Sequence, residues 1–343
     1  MGERTTIVED PKNLPGLEGP KFIKRNGYYY IFAPAGGVEE GWQTILRSNH
    51  INGPYEDRIV LHQGDTSTNG PHQGGWVELE SGESWFIHFQ DKGAYGRIVH
   101  LQPVQWVDDW PMMGHDRNGD GIGEPVDEWK KPNVAEREAF LSVPPTSDSF
   151  AGGIGLQWQW QANPQPEWYS MQANPSSLRL HAVSLPDGSS RLYDAPQLLL
   201  QKLPAPAFSA TCKVDFHPVG AEERAGLVVF GEEYAYIAVV KSDNDQWGLK
   251  LYTGDNVNET FVQSSAIADS GASCALYLRV TVNEQAECQF SFVVNGEDFF
   301  PIGEGVAVKA GKWVGAKVGL FAANLGQGHV GGYADYEWFT VES

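Results

Sequence analysis

Residues 17 to 32 of this chain read Leu17-Glu18-Gly19-Pro20-Lys21-Phe22-Ile23-Lys24-Arg25-Asn26-Gly27-Tyr28-Tyr29-Tyr30-Ile31-Phe32. Apolar and aromatic residues flank Asn26-Gly27, a dipeptide that readily adopts the positive φ angles of a type I′ turn, so the segment predicts a β-hairpin. Glu18 lies at the end of the first strand away from the turn, and Gly19-Pro20 keeps the chain from starting a helix there. We expect its carboxylate to be presented at a fixed strand end. The alternative is a solvated surface glutamate.

The composition favours an all-β protein with two domains. The chain has 343 residues, 12% of them aromatic, with 39 Gly and 21 Pro and no long helical period. Its net charge of -20 disfavours nucleic acid, since each phosphate contact requires a cation, and a neutral polysaccharide fits better. No apolar run reaches the roughly 20 residues that cross a bilayer, so no membrane partner is expected. The start of the chain lacks the apolar core of a signal peptide, which by itself does not indicate a location.

The three cysteines, Cys212, Cys274 and Cys288, all lie in the second half of the chain. Their odd number and irregular spacing argue against a disulfide framework or a zinc site. We expect buried thiols.

Several segments together resemble glycoside hydrolase family 43, in matching order and spacing. They are residues 18–32, Gly41-Trp42-Gln43, Gly70-Pro71-His72-Gln73-Gly74-Gly75-Trp76, and Gly96-Arg97 followed by Leu101-Gln102-Pro103-Val104-Gln105-Trp106. The resemblance implies a five-bladed β-propeller that cleaves xylosides and arabinosides with inversion. Such enzymes use an Asp base, an Asp that orients and tunes, and a Glu acid.

The resemblance also implies roles for individual residues. Glu18 would be the general acid, Arg97 would line the sugar pocket, and Trp42 would contact substrate. His72 would lie at the propeller centre beside a water or a metal ion, which with one histidine would be a hard cation such as calcium. The alternatives are a loop hydrogen bond for His72 and a surface or inter-blade ion pair for Arg97. No organic cofactor is expected.

The chain departs from the family pattern in its carboxylates. Both family aspartates lie upstream of the Glu-Gly-Pro motif, where this sequence has only residues 1–17, so we expect the first two blades to be missing. An inverting glycosidase needs two carboxyl groups about 6.5 to 9.5 Å apart, and Glu18 supplies only the acid. Asp65, Glu78 and Asp91 are the nearest acids, but none lies in a base motif. The identity of the base is not predicted.

Residues 1–143 are predicted to form the partial propeller. Strands are expected at 28–33, 42–47, 75–80, 84–90 and 97–106, with Glu80-Ser81-Gly82-Glu83 as a second tight hairpin. They make about two complete blades and part of another. An open sector would expose strand edges and an apolar face, so we expect self-association, a partner chain or a rearranged packing to cover it.

Residues 144–343 are predicted to form a β-sandwich after the stiff connector Pro144-Pro145-Thr146-Ser147-Asp148. Period-two alternation predicts strands at 207–216, 226–230, 234–241, 276–282, 289–294 and 333–341, and Val294-Asn295-Gly296-Glu297 predicts another hairpin. From Ser149-Phe150 onward the region resembles the concanavalin-like module of family 43 β-xylosidases.

Two further motifs have more than one interpretation. Trp158, Trp160 and Trp168 lie in a loop-like stretch, where they would stack on sugar rings or join the sandwich to the propeller. Asp116, Asn118 and Asp120 have the spacing of a calcium loop with Gly121 at its sixth place, but the twelfth place is Asp127 rather than Glu. A rigid Gly/Asp turn is the favoured alternative there.

The sequence thus predicts an exo-acting, inverting hydrolase of xylan- or arabinoxylan-derived oligosaccharides, of the β-xylosidase or α-L-arabinofuranosidase type. Because the family base is absent, the chain is expected to be incomplete. The alternatives are a non-catalytic carbohydrate-binding or structural remnant, or one half of a split enzyme. The choice between xylose and arabinose is not predicted.

Overall fold

The computed structural model describes residues 5–134, 143–186, 188–267, 274–294, 298–326, 328 and 331–343. These residues are almost entirely β-structure and divide into two compact units. The described part of the first unit comprises 5–92 and 97–134, and that of the second comprises Gly93–Gly96 and residues from 143 onward. None of the helices in these residues has the length and apolar character required to span a membrane.

The first unit contains two four-stranded antiparallel sheets, each with its strands in sequence order. The first sheet is formed by β1 (Lys21–Arg25), β2 (Tyr28–Ala35), β3 (Trp42–Ser48) and β4 (Glu56–Leu61), with the short helix α1 (Gly37–Glu40) between β2 and β3. The second sheet is formed by β5 (His72–Glu78), β6 (Ser84–Asp91), β7 (Arg97–Val107) and β8 (Trp110–Met113). All five predicted strands are present. Residues 5–20 contain no strand, so the expected part of a further blade is not among the described residues.

Both predicted hairpins of this unit form as expected. Asn26 and Gly27 have φ angles of 49° and 85°, as a type I′ turn requires, and Arg25 pairs with Tyr28. In the second hairpin the N–H of Leu79 donates to Glu83 O at 2.8 Å, and Gly82 has a φ of 83°.

The core of the first unit lies between its two sheets. Tyr30 and Trp106 meet edge to face at 5.4 Å, and the rings of Phe32 and Trp76 stack at 6.4 Å. The opposite face of the second sheet leaves large apolar side chains exposed: Val77, Ile87, Val99 and Leu101. The covering of such a face by a second copy or a partner chain stays a prediction.

The second unit is a sandwich of two sheets. Its seven-stranded sheet has the order β10 (Tyr169–Ser170), β11 (Leu178–His181), β23 (Tyr333–Glu342), β14 (Phe208–His217), β19 (Cys274–Val282), β20 (Glu287–Val293) and β21 (Phe300–Ala307). The other sheet has the order β18 (Glu259–Ala266), β17 (Trp247–Asp255), β16 (Glu233–Lys241), β15 (Glu223–Phe230), β22 (Lys317–Asn324), β13 (Leu199–Lys202) and β9 (Gln159–Trp160), with β12 (Val183–Ser184) parallel to β22. Short 3-10 helices lie at Gly93–Tyr95, Pro166–Trp168 and Leu192–Asp194.

Apolar side chains from both sheets fill the sandwich interior. Leu278 and Phe290 come from one sheet, and Leu227 and Ile237 come from the other. The hydroxyl of the fully buried Tyr336 donates to Gly226 O at 3.0 Å, and also to Phe321 O. All six predicted strands are present, although residues 295–297 of the predicted hairpin lie outside the described residues.

The cysteines are buried in this interior, as expected. Cys212 and Cys288 form no disulfide, and Cys274 is buried as well. Burial raises the pKa of the Cys288 thiol to about 12, so it stays protonated at neutral pH. These thiols act as small apolar side chains.

Candidate active site

Glu18 lies just before β1, at the end of that strand opposite the Asn26-Gly27 turn. Its backbone N–H donates to Pro34 O at 3.1 Å, and the N–H of Gly36 donates to Pro15 O at 2.7 Å. These two bonds fasten residues 15–18 alongside the end of β2. The backbone of Glu18, from which the carboxylate extends, is therefore held in place by hydrogen bonds to the chain around β2.

His72 is turned into the protein by a β-bulge at the start of β5. The pairing of β5 with β6 shifts register between His72 and Gly75, and Gln73 in the bulge has a left-handed φ of 46°. The bulge buries His72 fully while Gln73 is exposed. Gly70 precedes it with a φ of 46°, and a Cβ there would lie 2.0 Å from Val38 O, so this turn requires glycine.

Glu18, His72 and Gln73 meet at one carboxylate oxygen. His72 Nε2 lies 3.1 Å from Glu18 Oε1, and Gln73 Nε2 donates to the same oxygen at 3.3 Å. In the part of the chain that the structure describes, Glu18 Oε2 has no hydrogen-bond partner. Because the Glu18 side chain is 48% exposed, this second oxygen is available to a ligand arriving from solvent.

Burial lowers the pKa of His72. Glu18 acts in the opposite direction, and the Arg97 guanidinium adds to the lowering. The imidazole is therefore neutral at neutral pH and contacts Glu18 without adding a charge. Its Nε2 lies 3.1 Å from Glu18 Oε1, but neither ring nitrogen makes a hydrogen bond within the described residues.

Arg97 begins β7 and pairs with Asp91 at the end of β6. Its guanidinium carbon lies 4.4 Å from the centre of the Phe89 ring, and its Nε lies 4.0 Å from Asp91 Oδ2. Phe89 is also the cross-strand neighbour of His72, with ring centres 6.2 Å apart. The structure therefore places Arg97 and His72 against one aromatic ring, and His72 beside Glu18. Arg97 also makes an ion pair, the alternative that the sequence offered for it, and its partner is Asp91.

Two family models together cover most of the sequence. Residues 2–111 match the family described as "Glycosyl hydrolases family 43", and residues 147–342 match the family described as "Beta xylosidase C-terminal Concanavalin A-like domain". The chain belongs to glycosyl hydrolase family 43. The family resemblance drawn from the Glu18 and His72 motifs is thereby confirmed, as is an all-β fold with a concanavalin-like domain in the second half.

Relatives of this family 43 chain are named as xylosidases. A "Putative beta-xylosidase" of Xylanibacter ruminicola is 37% identical over 324 residues, covering 93% of this chain and 58% of the relative. A "Beta-xylosidase" of Formosa agariphila is 30% identical over 380 residues, covering 98% of this chain and 62% of the relative. The solved GH43 BlXynB protein from Bacillus licheniformis has a TM-score of 0.80 at 26% identity, covering 99% of this chain and 67% of that chain. This chain spans less than two thirds of the length of the two curated relatives.

The sequence reasoning did not identify Gln73 and Phe89 as members of this family 43 site. A signal for Gln73 was present, because it stands between His72 and two glycines in a segment suited to a bulge. Phe89 carried no such signal, since it reaches His72 only through the pairing of β5 with β6.

Trp42 lies at the start of β3 and is partly exposed. The Trp42 ring would lie 2.7 Å from a Cβ on Gly36, and the ring packs against the cluster that contains the buried Leu14 and Leu46. The His62 ring centre is 6.4 Å away. These contacts explain its position, and substrate binding by Trp42 stays a prediction.

The expectation that Trp158 stacks on sugar is wrong. Its ring is buried in the sandwich core, 5.0 Å from Phe339 and 6.0 Å from Phe150, and its Nε1 donates to Asp148 Oδ2 at 2.9 Å. The apparent loop contains β9, whose pairing with β13 draws this segment into the core. Trp160 is partly exposed beside the buried Trp168, and a role in substrate binding stays a prediction for it.

The Asp/Asn loop at 116–122 uses its side chains to bind its own backbone. Asp116 accepts from the N–H groups of Gly119 and Gly121, Asn118 accepts from Asp120, and Asp120 accepts from Ile122. These bonds fit the rigid turn that the sequence favoured. The described ranges contain no group of three or more His, Cys, Asp or Glu side chains that could hold a metal ion. Calcium at this loop or beside His72 stays a prediction.

Proposed function

We propose that this chain is the part of an exo-acting, inverting glycoside hydrolase that supplies its general acid, Glu18. The substrates would be xylan- or arabinoxylan-derived oligosaccharides. The observation that carries the proposal is the convergence of His72 and Gln73 on Oε1 of Glu18, at 3.1 and 3.3 Å, which leaves Oε2 to carry the proton. The names of the two curated relatives, both beta-xylosidases, support the substrate class.

In the proposed reaction Oε2 of Glu18 gives its proton to the glycosidic oxygen as the bond from that oxygen to the anomeric carbon breaks. Water adds to the anomeric carbon from the opposite face, and its second proton passes to a base. Negative charge then develops on Glu18, where the Gln73 Nε2 donor stabilises it and the imidazole of His72 lies 3.1 Å away. Arg97 has a planar fork of donors suited to adjacent sugar hydroxyls. We assign no residue to the base.

A second candidate is a non-catalytic carbohydrate-binding or structural role. It is favoured because, across the described ranges, no second carboxylate contacts Glu18, His72 or Gln73. An acid without a water-activating partner loses orders of magnitude in rate. A split enzyme is the remaining alternative, in which a partner chain covers the exposed face that carries Ile87, Val99 and Leu101.

The test compares the purified chain with Glu18→Gln on two substrates. Xylobiose has a poor leaving group and depends on protonation, whereas para-nitrophenyl β-xyloside has a good one and depends on it little. We expect the substitution to lower the xylobiose rate by roughly 10²–10⁴-fold and the aryl xyloside rate much less. A para-nitrophenyl α-L-arabinofuranoside assay run in parallel reports the sugar preference.

The matched control is Glu56→Gln, because Glu56 pairs with Arg47 on the same sheet, at the end away from Glu18. It should leave both rates unchanged. Equal losses on both substrates for Glu18→Gln would contradict the acid role. No turnover by either protein, with glycan binding retained, would favour the non-catalytic role, and a measured mass above that of one chain would favour association.

A further inference from the structure

A groove separate from the Glu18 site lies in the first unit, near the Asn26-Gly27 turn and the 79–83 turn. It encloses about 330 Å³, within the size range of ligand sites. Its principal lining residues are Arg25, Trp85, Gln105, Trp106, Trp129 and Lys130.

This groove is separate from the Glu18 site. Arg25 ends β1 at the Asn26-Gly27 turn, whereas Glu18 precedes the start of that strand. The four residue steps from Lys21 to Arg25, at about 3.3 Å each, already separate the two ends of β1 by about 13 Å. A ligand in the groove would therefore not occupy the position of the scissile bond.

The floor of the groove is held in place before any ligand arrives. Trp106 Nε1 donates to Ser84 Oγ at 3.1 Å. The Arg25 guanidinium lies 4.2 Å from the centre of the Trp106 ring and is itself paired with Glu78 at 3.4 Å. Such a preordered aromatic floor loses little conformational entropy when a ligand binds.

The rim is equally fixed, and it presents an exposed indole. Lys130 Nζ and the backbone N–H of Asn133 donate to the two carboxylate oxygens of Glu83, at 3.0 and 2.7 Å. These bonds anchor the segment that carries Trp129, whose side chain is 42% exposed. A large aromatic ring held open to solvent is typical of a binding surface.

The charges of the groove indicate the class of its ligand. Arg25 is paired with Glu78, and Lys130 is paired with Glu83, so the charged side chains cancel in pairs. An exposed amide, Gln105, lies beside the aromatic rings. Neutral polar groups next to aromatic faces match sugar hydroxyls next to the C–H face of a sugar ring. We propose that this groove is a second carbohydrate-binding site for neutral oligosaccharides, with Trp129 as its stacking platform.

The experiment follows the indole N–H resonance of Trp129 while xylohexaose is added to the full chain carrying Glu18→Gln, so that no substrate is consumed. The Trp129 resonance should shift and saturate. The matched control is Trp313, an exposed tryptophan of the sandwich, whose resonance should not move. Trp129→Ala should weaken the affinity reported by the remaining groove resonances about tenfold, and Trp129→Phe should restore part of the loss.

The proposal is overturned if the Trp129 resonance is unmoved, or if Trp129→Ala binds as tightly as the parent protein. It is also overturned if the shift depends on protein concentration rather than on xylohexaose, because the groove would then be a contact between copies. Loss of turnover through Glu18 is a separate result, so failure of the proposed function leaves this test intact.

Discussion

The two units fill the space between their sheets with different kinds of side chain. The sandwich buries an almost wholly apolar layer, with Leu278 and Phe290 facing Leu227 and Ile237. The first unit buries Gln43, and it buries His88 and Gln102 beside Phe86; each of these three polar side chains has an atom without a hydrogen-bond partner in the described chain. Unsatisfied buried polar atoms cost stability. Among the described residues, the first unit therefore holds most of the buried polar side-chain atoms without a hydrogen-bond partner, and the sandwich holds a few, on Gln157, Gln197 and Asp215.

This difference assigns separate tasks to the two units. An apolar interior with saturated hydrogen bonds, such as those of Tyr336, stabilises a fold but offers a polar substrate no contacts. Polar atoms without partners can instead bind waters, ions or hydroxyl groups. His72, whose two ring nitrogens have no hydrogen-bond partner in the described residues, shows how a strand irregularity places such a group beside an exposed carboxylate.

The largest effect is expected from truncating the sandwich core. Phe290→Ala removes a ring that is 1% exposed and should lower the free energy of unfolding of the sandwich by about 4 kcal/mol. The matched control, Phe300→Ala on the neighbouring strand, affects a ring that is 60% exposed and should cost less than about 1 kcal/mol. Hydrogen exchange resolved by peptide would measure both. Equal losses of protection would contradict the apolar-core description.

Acidification should destabilise the first unit by about 3 kcal/mol. Burial lowers the pKa of His88 from 6.5 to about 4, with the nearby His100 adding to the effect. Between these two values the unfolded chain binds a proton that the folded chain does not, so stability present above pH 6.5 is lost as the pH falls to about 4. At ~1.36 kcal/mol per pKa unit, this shift gives the stated size.

The measurement is the protection of β6 and β7 amides across that pH range, corrected for intrinsic exchange rates. His88→Phe keeps a ring stacked against Phe86 and should flatten the dependence. His50→Gln changes an exposed histidine and should leave the dependence intact. If His88→Phe loses protection as the pH falls in the same way as the parent protein, then protonation of His88 is not the source of the pH dependence.

A smaller effect, about 2 kcal/mol, is expected from Gly74→Ala. A Cβ at Gly74 would lie 2.0 Å from the Phe86 ring, which is fully buried and cannot retreat. Gly75→Ala, one residue along the same strand, meets nothing within 4 Å and should change stability by less than about 1 kcal/mol. Urea denaturation of the two variants would compare them directly. Similar midpoints would show that the space between the sheets is looser than described.

Local chemistry accounts for much of what the sequence predicted correctly. The Asn26-Gly27 turn, the alternating strands of both units and the position of Glu18 before β1 depend on neighbouring residues alone. The sandwich interior, including its buried cysteines, follows from apolar residues at every second position. Turn geometry and side-chain alternation are properties of short segments, so they can be read without knowing what the strands pair with.

Only the tertiary structure decided which side chains reach Glu18 and which tryptophans face solvent. The bulge between His72 and Gly75 puts His72 opposite Phe89, on the face of the sheet that Gly75 and Ile87 share, whereas strict alternation would put it with Gly74 and Trp76. Phe89 reaches His72, and Trp158 enters the core, through strand pairings between segments distant in sequence. Such contacts are selected by the packing energy of the whole unit, and no short segment contains that information.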